Sequence, residues 1–141
     1  MTEFKRVFVD TAPIIYYLEN SPLYSEAIKR FFTRCIEKDI QVVTSAITVE
    51  EYLVYPYSSG QMDFVDNFKR FLDYMNVEII DINSDIAEQA SKLRGQYKGF
   101  KAMDALQISS AIESRCDMFF TNDKQLRQEK EIPCMTMEDL K

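Results

Sequence analysis

The sequence predicts an α/β fold, a parallel sheet covered by helices on both faces. Three observations point there. Four short apolar runs, VFV (7–9), IQVVT (40–44), VEII (77–80) and MFF (118–120), show little polar alternation, as strands buried on both faces should. The segments between them carry apolar residues at helical spacing. Strands separated by helices are joined by crossovers, which makes neighbouring strands parallel.

Taken in order, VFV leads into PIIYYLEN, with Pro13 suited to a first helical turn. YSEAIKRFFTRCIEK (24–38) is a helix through Ile28, Phe31, Phe32, Cys35 and Ile36. IQVVT precedes a helix in SAITVEEYLVY, and SSG (58–60) reads as a turn. MDFVDNFKRFLDYM (62–75) is amphipathic through Phe64, Val65, Phe68, Phe71, Leu72 and Met75. After VEII, Asn83 or Ser84 suits the cap of a helix reaching about Lys98. FKAMDALQISSAIESR (100–115) is the next helix, then MFF, a short helix in KQLRQ, and IPCMTMEDL with room for a last short strand. No linker, internal repeat or low-complexity tract divides residues 1–141, so one domain is expected.

Composition narrows the chemistry. The chain has no histidine, which removes Ser-His-Asp and Cys-His nucleophiles, His-ligated zinc and His general bases. Its three cysteines, Cys35, Cys116 and Cys134, form no CxxC pair, so a reduced, cytoplasmic setting is expected. No apolar run approaches the roughly 20 residues of a membrane helix, and the N-terminus lacks a signal-peptide layout, so no membrane partner is expected. A net charge of −6 opposes gripping phosphates over the whole surface. An acidic protein can still act on nucleic acid when a cation bridges its carboxylates to phosphate. Three glycines cannot build a GxGxxG or a GxxxxGK[ST] loop.

Ligands of open parallel sheets sit beyond the carboxyl ends of the strands. Asp10 follows strand one, and Asp123 follows strand four by three residues. Glu51 lies one turn into the helix after strand two. Asp104 sits on a helix whose i+4 and i+8 positions are Ile108 and Ile112, where a carboxylate is costly unless something pairs it. Asp117 precedes strand four and belongs at the opposite edge; Asp81 follows strand three. Each acid also has a purely structural reading. Asp10 suits an N-cap equally well. Thr48-Val-Glu-Glu51 taken alone favours a capping box. Asp104 suits the helix dipole, and Asp123 a cap for KQLRQ. The four gain a shared meaning only if they converge. Two carboxylates ~4 Å apart repel by about 4 kcal/mol at an effective dielectric of 20. No Lys or Arg adjoins Asp10 or Asp104 in the chain, whereas an all-oxygen set suits Mg²⁺ or Mn²⁺.

These residues resemble the PIN-domain ribonucleases along nearly the whole chain. The family's first acid is matched by Asp10 in VFVDTAPII. Its S-x-x-T-x-x-E helix is matched by Ser45-Ala-Ile-Thr48-Val-Glu-Glu51, its D-A-x-x-x-x-A helix by Asp104-Ala-Leu-Gln-Ile-Ser-Ser-Ala111, and its T-N-D by Thr121-Asn122-Asp123. In type the chain is most similar to VapC toxins of VapBC toxin–antitoxin pairs. The resemblance implies an α/β/α fold with a five-stranded parallel sheet in the order 3-2-1-4-5, which puts Asp10 beside Asp123 and Asp81 on the far edge. It implies a Mg²⁺- or Mn²⁺-dependent ribonuclease acting on single-stranded or looped RNA, with Asp10 and Asp104 as main ligands and Glu51 and Asp123 completing the set. It further implies a homodimer and an antitoxin partner.

Thr121 and Thr11 are placed to orient a carboxylate or water, and Thr121 equally suits a turn hydroxyl. Arg94, Lys98 and Lys101 before Asp104, with Lys124 and Arg127 after Asp123, are candidate RNA contacts and equally ordinary surface residues. For Tyr16, Tyr17, Tyr52, Tyr55 and Tyr57, base stacking competes with the commoner role of packing. A receiver domain needs an acidic pair after strand one, and a haloacid-dehalogenase-type phosphatase needs an acid where Ala12 stands. A catalytically silent scaffold that binds RNA or a partner is the remaining alternative, although all four acids are kept.

Overall fold

The computed structural model describes residues 3–140. Its five strands are β1 (Arg6–Val9), β2 (Gln41–Ser45), β3 (Glu78–Ile80), β4 (Met118–Phe120) and β5 (Cys134–Met135). They form one parallel sheet in the order β3-β2-β1-β4-β5, as expected. Helices α1 (Thr11–Leu18), α2 (Ser25–Glu37), α3 (Ala46–Ser59), α4 (Met62–Tyr74), α5 (Ser84–Gln96) and α6 (Ala102–Glu113) connect them. Short 3₁₀ helices cover Lys124–Gln128 and Met137–Leu140.

Strand geometry explains the unbroken apolar runs. Successive side chains point to opposite faces. Val7, Val9, Val42, Met118 and Phe120 therefore enter one core with Ile14, Ile28, Phe31, Phe32, Tyr52, Phe68 and Phe71 from α1–α4. Phe8, Val43 and Phe119 enter a second core with Ala90, Leu93, Ala105, Ile108 and Ala111 from α5 and α6. Phe8 and Phe119, both fully buried, stack across the β1–β4 pair at 5.4 Å. Neither face of the central strands meets water, so a polar alternation has no place there.

Two boundaries depart from expectation. The SSG turn shrinks to Gly60, because α3 continues past Pro56 through Ser59. The Ser58 and Ser59 hydroxyls donate to the Tyr55 carbonyl at 3.0 and 2.9 Å, which satisfies an acceptor in the last turn. Gly60 then ends the helix at φ +70°, a left-handed conformation that favours glycine. The second departure is the cap of α3. Ser45 holds it, its Oγ accepting from Ile47 N at 3.1 Å, so Thr48 lies inside the helix and the Thr48–Glu51 capping box does not form. Glu51 is thereby left for another partner.

Asp117 lies at the opposite edge, as expected, where Oδ2 accepts from Lys5 N at 2.8 Å and Arg6 N at 2.9 Å. Those bonds hold its carboxyl below the usual range and fasten the start of β1 to the start of β4. Asp81 is exposed after edge strand β3. Among the described residues no helix is long and apolar enough to cross a membrane.

Tyr52 is 3 % exposed and stacks on Phe68 at 4.6 Å, 8° from parallel, so it packs the core. Its hydroxyl is buried without a hydrogen-bond partner, a cost of about 1–3 kcal/mol. Tyr52→Phe keeps the stack and removes the orphaned group. It is expected to raise the midpoint of thermal unfolding by a few degrees, which calorimetry measures; a fall shows that the hydroxyl has a stabilising partner.

Candidate active site

Chain order turns round at β1. The chain runs outward through β2 and β3, then crosses back to β4 and β5 on the other side. The crevice at that reversal, beyond the carboxyl ends of β1 and β4, is where open α/β sheets bind ligands. Val9 pairs with Phe120 in the ladder, and the amide of Asp10 donates to the Phe120 carbonyl at 2.8 Å. Asp10 therefore stands at the crevice on the last rung of the central strand pair.

Its carboxylate is held from three directions. Oδ1 accepts from Thr11 N at 2.9 Å and from Gln107 Nε2 at 3.1 Å, and Oδ2 accepts from Thr121 Oγ1 at 2.8 Å. Asp10 is the N-cap of α1 and also lines the crevice, so the capping role does not remove it from the candidate site. Burial pushes its pKa up, the three hydrogen bonds pull it down, and the charge of Asp123 pushes it up again.

A buried polar network lies beneath. Thr11 Oγ1 donates to Glu51 Oε1 at 2.6 Å. Gln107 Nε2 gives its other proton to Thr48 Oγ1 at 2.8 Å, while Gln107 Oε1 accepts from Ser45 Oγ. Thr44 Oγ1 bonds the Val9 carbonyl and Thr48 Oγ1, each at 2.8 Å. Gln107 is 2 % exposed, and these contacts fix its amide. The reverse orientation would set Oε1 against the Asp10 carboxylate. Glu51 is half-buried and Glu50 exposed, so the motif reading picked the inward acid.

Thr121 and Asp123 act together. Asp123 N donates to Thr121 Oγ1 at 3.1 Å, and Asp123 Oδ1 accepts from Gln125 N at 3.0 Å, starting the 3₁₀ helix. Both readings of Thr121 hold, because its hydroxyl orients Asp10 and closes a turn. Asp104 occupies the first turn of α6, half-buried. Its carboxyl is pushed up to about 6, first by burial and then by the charges of Asp10 and Asp123, with Lys101 opposing and Glu51 adding. All four acids therefore share one electrostatic neighbourhood.

Among the described residues no Lys or Arg forms an ion pair with any of the four, and Lys101 offsets the charge at Asp104 only in part. The ion pairs Arg6–Glu78, Lys124–Glu138 and Arg127–Asp139 involve none of the four. Oxygen donors and surplus negative charge fit a hard divalent cation. Among the described residues no three acids stand in a ready-made metal cluster. Of the candidate RNA contacts, Lys101 precedes α6 near Asp104, and Arg94 lies by Ala102 and Leu106. Lys98 is exposed. Lys124 pairs with Glu138, and Arg127 with Asp139 and Thr136.

A family model described as PIN domain matches residues 7–131. The chain belongs to the PIN domain family. No curated protein sequence matches it significantly. Solved structures share the PIN fold. VapBC2 of Rickettsia felis, bound to a promoter DNA fragment, aligns with TM-score 0.74 at 16% identity over 93% of this chain and 98% of that one. A toxin–antitoxin complex from Klebsiella pneumoniae gives 0.68 at 23% over 93% and 97%. VapC20 of Mycobacterium tuberculosis, a toxin that cleaves the sarcin–ricin loop, gives 0.68 at 18% over 90% and 98%. At these identities the likeness establishes the fold.

Gln107, which bonds the Asp10 carboxylate, is the partner in the candidate site that sequence reasoning missed. Its signal was present: a polar side chain one turn beyond Asp104, between buried Ala105, Ile108 and Ala111.

The raised pKa of Asp104 has a definite sign. Relative to the unfolded chain its carboxyl favours the fold fully below about pH 3.8, and that preference is lost as pH rises through about 6. Asp104→Asn in metal-free buffer should match the parent near pH 4 and exceed it near pH 8. The gain should be about 1 kcal/mol once solvent screening is allowed for, or roughly 3 °C. Thermal unfolding across pH measures this; an equal difference at both pH values refutes the charge-crowding account.

Proposed function

We propose that this PIN domain protein, working as one domain, is a Mg²⁺- or Mn²⁺-dependent ribonuclease that hydrolyses single-stranded or looped RNA, and that it is the toxin of a toxin–antitoxin pair. The observation that carries the reading is the charge-crowded, histidine-free group of Asp10, Glu51, Asp104 and Asp123 at the sheet's switch point, which forms no ion pair among the described residues.

Asp10 and Asp104 are assigned as the principal cation ligands, with Glu51 and Asp123 completing the set directly or through water. A bound dication supplies charge neutralisation for the scissile phosphate and activation of the attacking water. The chain's own residues supply position. Thr121 and Gln107 fix the Asp10 carboxylate, and Thr11 fixes Glu51. Lys101 and Lys124 bring local positive charge to the approach, with Arg94, Lys98 and Arg127 further out. Single-stranded RNA is favoured because unpaired bases can be splayed from the stack.

The structural neighbours include toxin–antitoxin complexes, which supports an antitoxin partner. α3 and the start of α4 expose Val54, Tyr55, Tyr57 and Met62, apolar surface that suits such a partner or a second copy of the chain. A cytoplasmic location accords with both the RNA substrate and the free cysteines.

The test is cleavage of single-stranded RNA by purified protein with Mg²⁺ or Mn²⁺. Chelation should abolish it, and Asp10→Asn should reduce it by at least about 100-fold. Activity should climb as pH rises through about 6, because Asp104 must lose its proton to hold a cation. Equal cleavage by Asp10→Asn and the parent protein marks a contaminating nuclease and ends the proposal.

A further inference from the structure

The crevice has a second wall that hydrolysis does not use. Asp10, Thr121 and Asp123 open into a cleft of about 570 Å³ that is also bounded by Tyr16, Tyr24 and Lys124. That volume lies within the range of small-molecule sites. The two tyrosine rings pack against each other, centroids 4.8 Å apart and 35° from parallel. Both residues are half-buried.

Position separates this pair from Tyr17 and Tyr52. Tyr52 is stacked in the core and Tyr17 packs on Phe32 and Phe71, whereas Tyr16 and Tyr24, although also packed against the first core, line the cleft. The Tyr16 hydroxyl accepts from Asn122 Nδ2 at 3.0 Å, which ties the ring to the same turn whose Thr121 holds Asp10. One tripeptide therefore holds Tyr16 and Asp10 and supplies Asp123. Beside them Lys124 Nζ pairs with Glu138 at 2.6 Å, and both side chains are more than half exposed. Such a surface pair is worth little and exchanges readily for a phosphate.

We propose that Tyr16 and Tyr24 form a nucleobase subsite, in which an unpaired nucleotide flanking the scissile phosphate stacks its base on the tyrosine wall while Lys124 leaves Glu138 for a neighbouring phosphate. The inference rests on the ribonuclease reading and specifies its substrate. A nucleotide presents a flat π-face and an anion a few ångströms apart. The cleft is lined by both an aromatic wall and an ammonium, next to the centre assigned to phosphate hydrolysis. Stacking is open to every base, so this position selects for an unpaired nucleotide rather than a particular sequence.

The test uses a short fluorescein-labelled single-stranded RNA with a mapped cut, and versions of it carrying one abasic residue at successive positions. In the parent protein, an abasic residue at one position flanking the cut is expected to raise KM about tenfold with little change in kcat, in line with the strength of base–aromatic stacking. Tyr24→Ala should raise KM for the intact RNA by a similar factor, and the abasic residue should then cost nothing more. Tyr24→Phe should behave as the parent. Tyr24→Leu, which keeps volume but lacks a π-face, replaces the alanine variant if that one unfolds. Equal abasic penalties in parent and variant, or none in either, overturn the subsite and leave the wall to a protein ligand. If the parent cuts no RNA, cleavage fails on its own account, and anisotropy with the same oligonucleotides decides the subsite. Non-additive losses in affinity sustain it; additive losses, or no binding, overturn it.

Discussion

The parallel pairing of β1 with β4 is the constraint on which the rest of the molecule depends. It joins the first strand to one formed more than a hundred residues later, and both lie in the middle of the sheet. Phe8 and Phe119 stack across it on one face, while Val7, Val9, Met118 and Phe120 bury the other. Its lower end is fastened by Asp117 and its upper end by the amide of Asp10. Moving the register by one residue would exchange the two cores and carry Asp10 away from Thr121. A parallel pair with that sequence separation is expensive to close, so both cores must be in place before the site exists.

Above that pair the chain accumulates more negative charge than helix capping by Asp10 and Asp123 requires. The pKa values of Asp10 and Asp104 are pushed up mainly by burial and further by acidic neighbours. A protein under selection for stability alone would place a lysine there, and three ion pairs elsewhere show that pairing is available to this sequence. The strain is contained instead by neutral donors. Thr121, Gln107 and the Thr11 amide give Asp10 hydrogen bonds without cancelling its charge, which keeps the carboxylate ordered and leaves its field available to a ligand. Neutral donors also explain why the network is rich in Thr, Ser and Gln, polar groups that can be buried once fully bonded.

The parallel α/β class was legible from apolar runs and helical spacing, and Asp10 and Asp123 from their places past strand ends, whereas the strand order came only from the resemblance carried by the four motifs. The capping box that Thr48 and Glu51 suggest in isolation does not form, because the helix starts three residues earlier at the Ser45 cap, where the apolar run 40–44 ends. The run through Pro56 was hidden, since proline usually breaks a helix and only the serine back-bonds and Gly60 show where the helix stops. Gln107 was illegible as a partner of Asp10 because that contact spans 97 positions and depends on how α6 meets β2.

The turn after β4 shows how few residues carry the arrangement. Thr121 donates to Asp10, Asn122 donates to Tyr16, and Asp123 caps the helix that bears Lys124. Each side chain fixes a different wall of one cleft. Replacing any of them by a residue of similar size would leave the cores intact and misplace one component of the site. Asn122 is the informative member, because its side-chain amide donates to a tyrosine hydroxyl. Its amide is spent on an aromatic ring that packing against Tyr24 would already hold loosely. A hydrogen bond that fixes a ring beside a charged crevice is hard to explain by stability, since the Asn122–Tyr16 contact is only partly buried and its net worth is about 1 kcal/mol. It is readily explained if the ring must meet something that arrives with the phosphate.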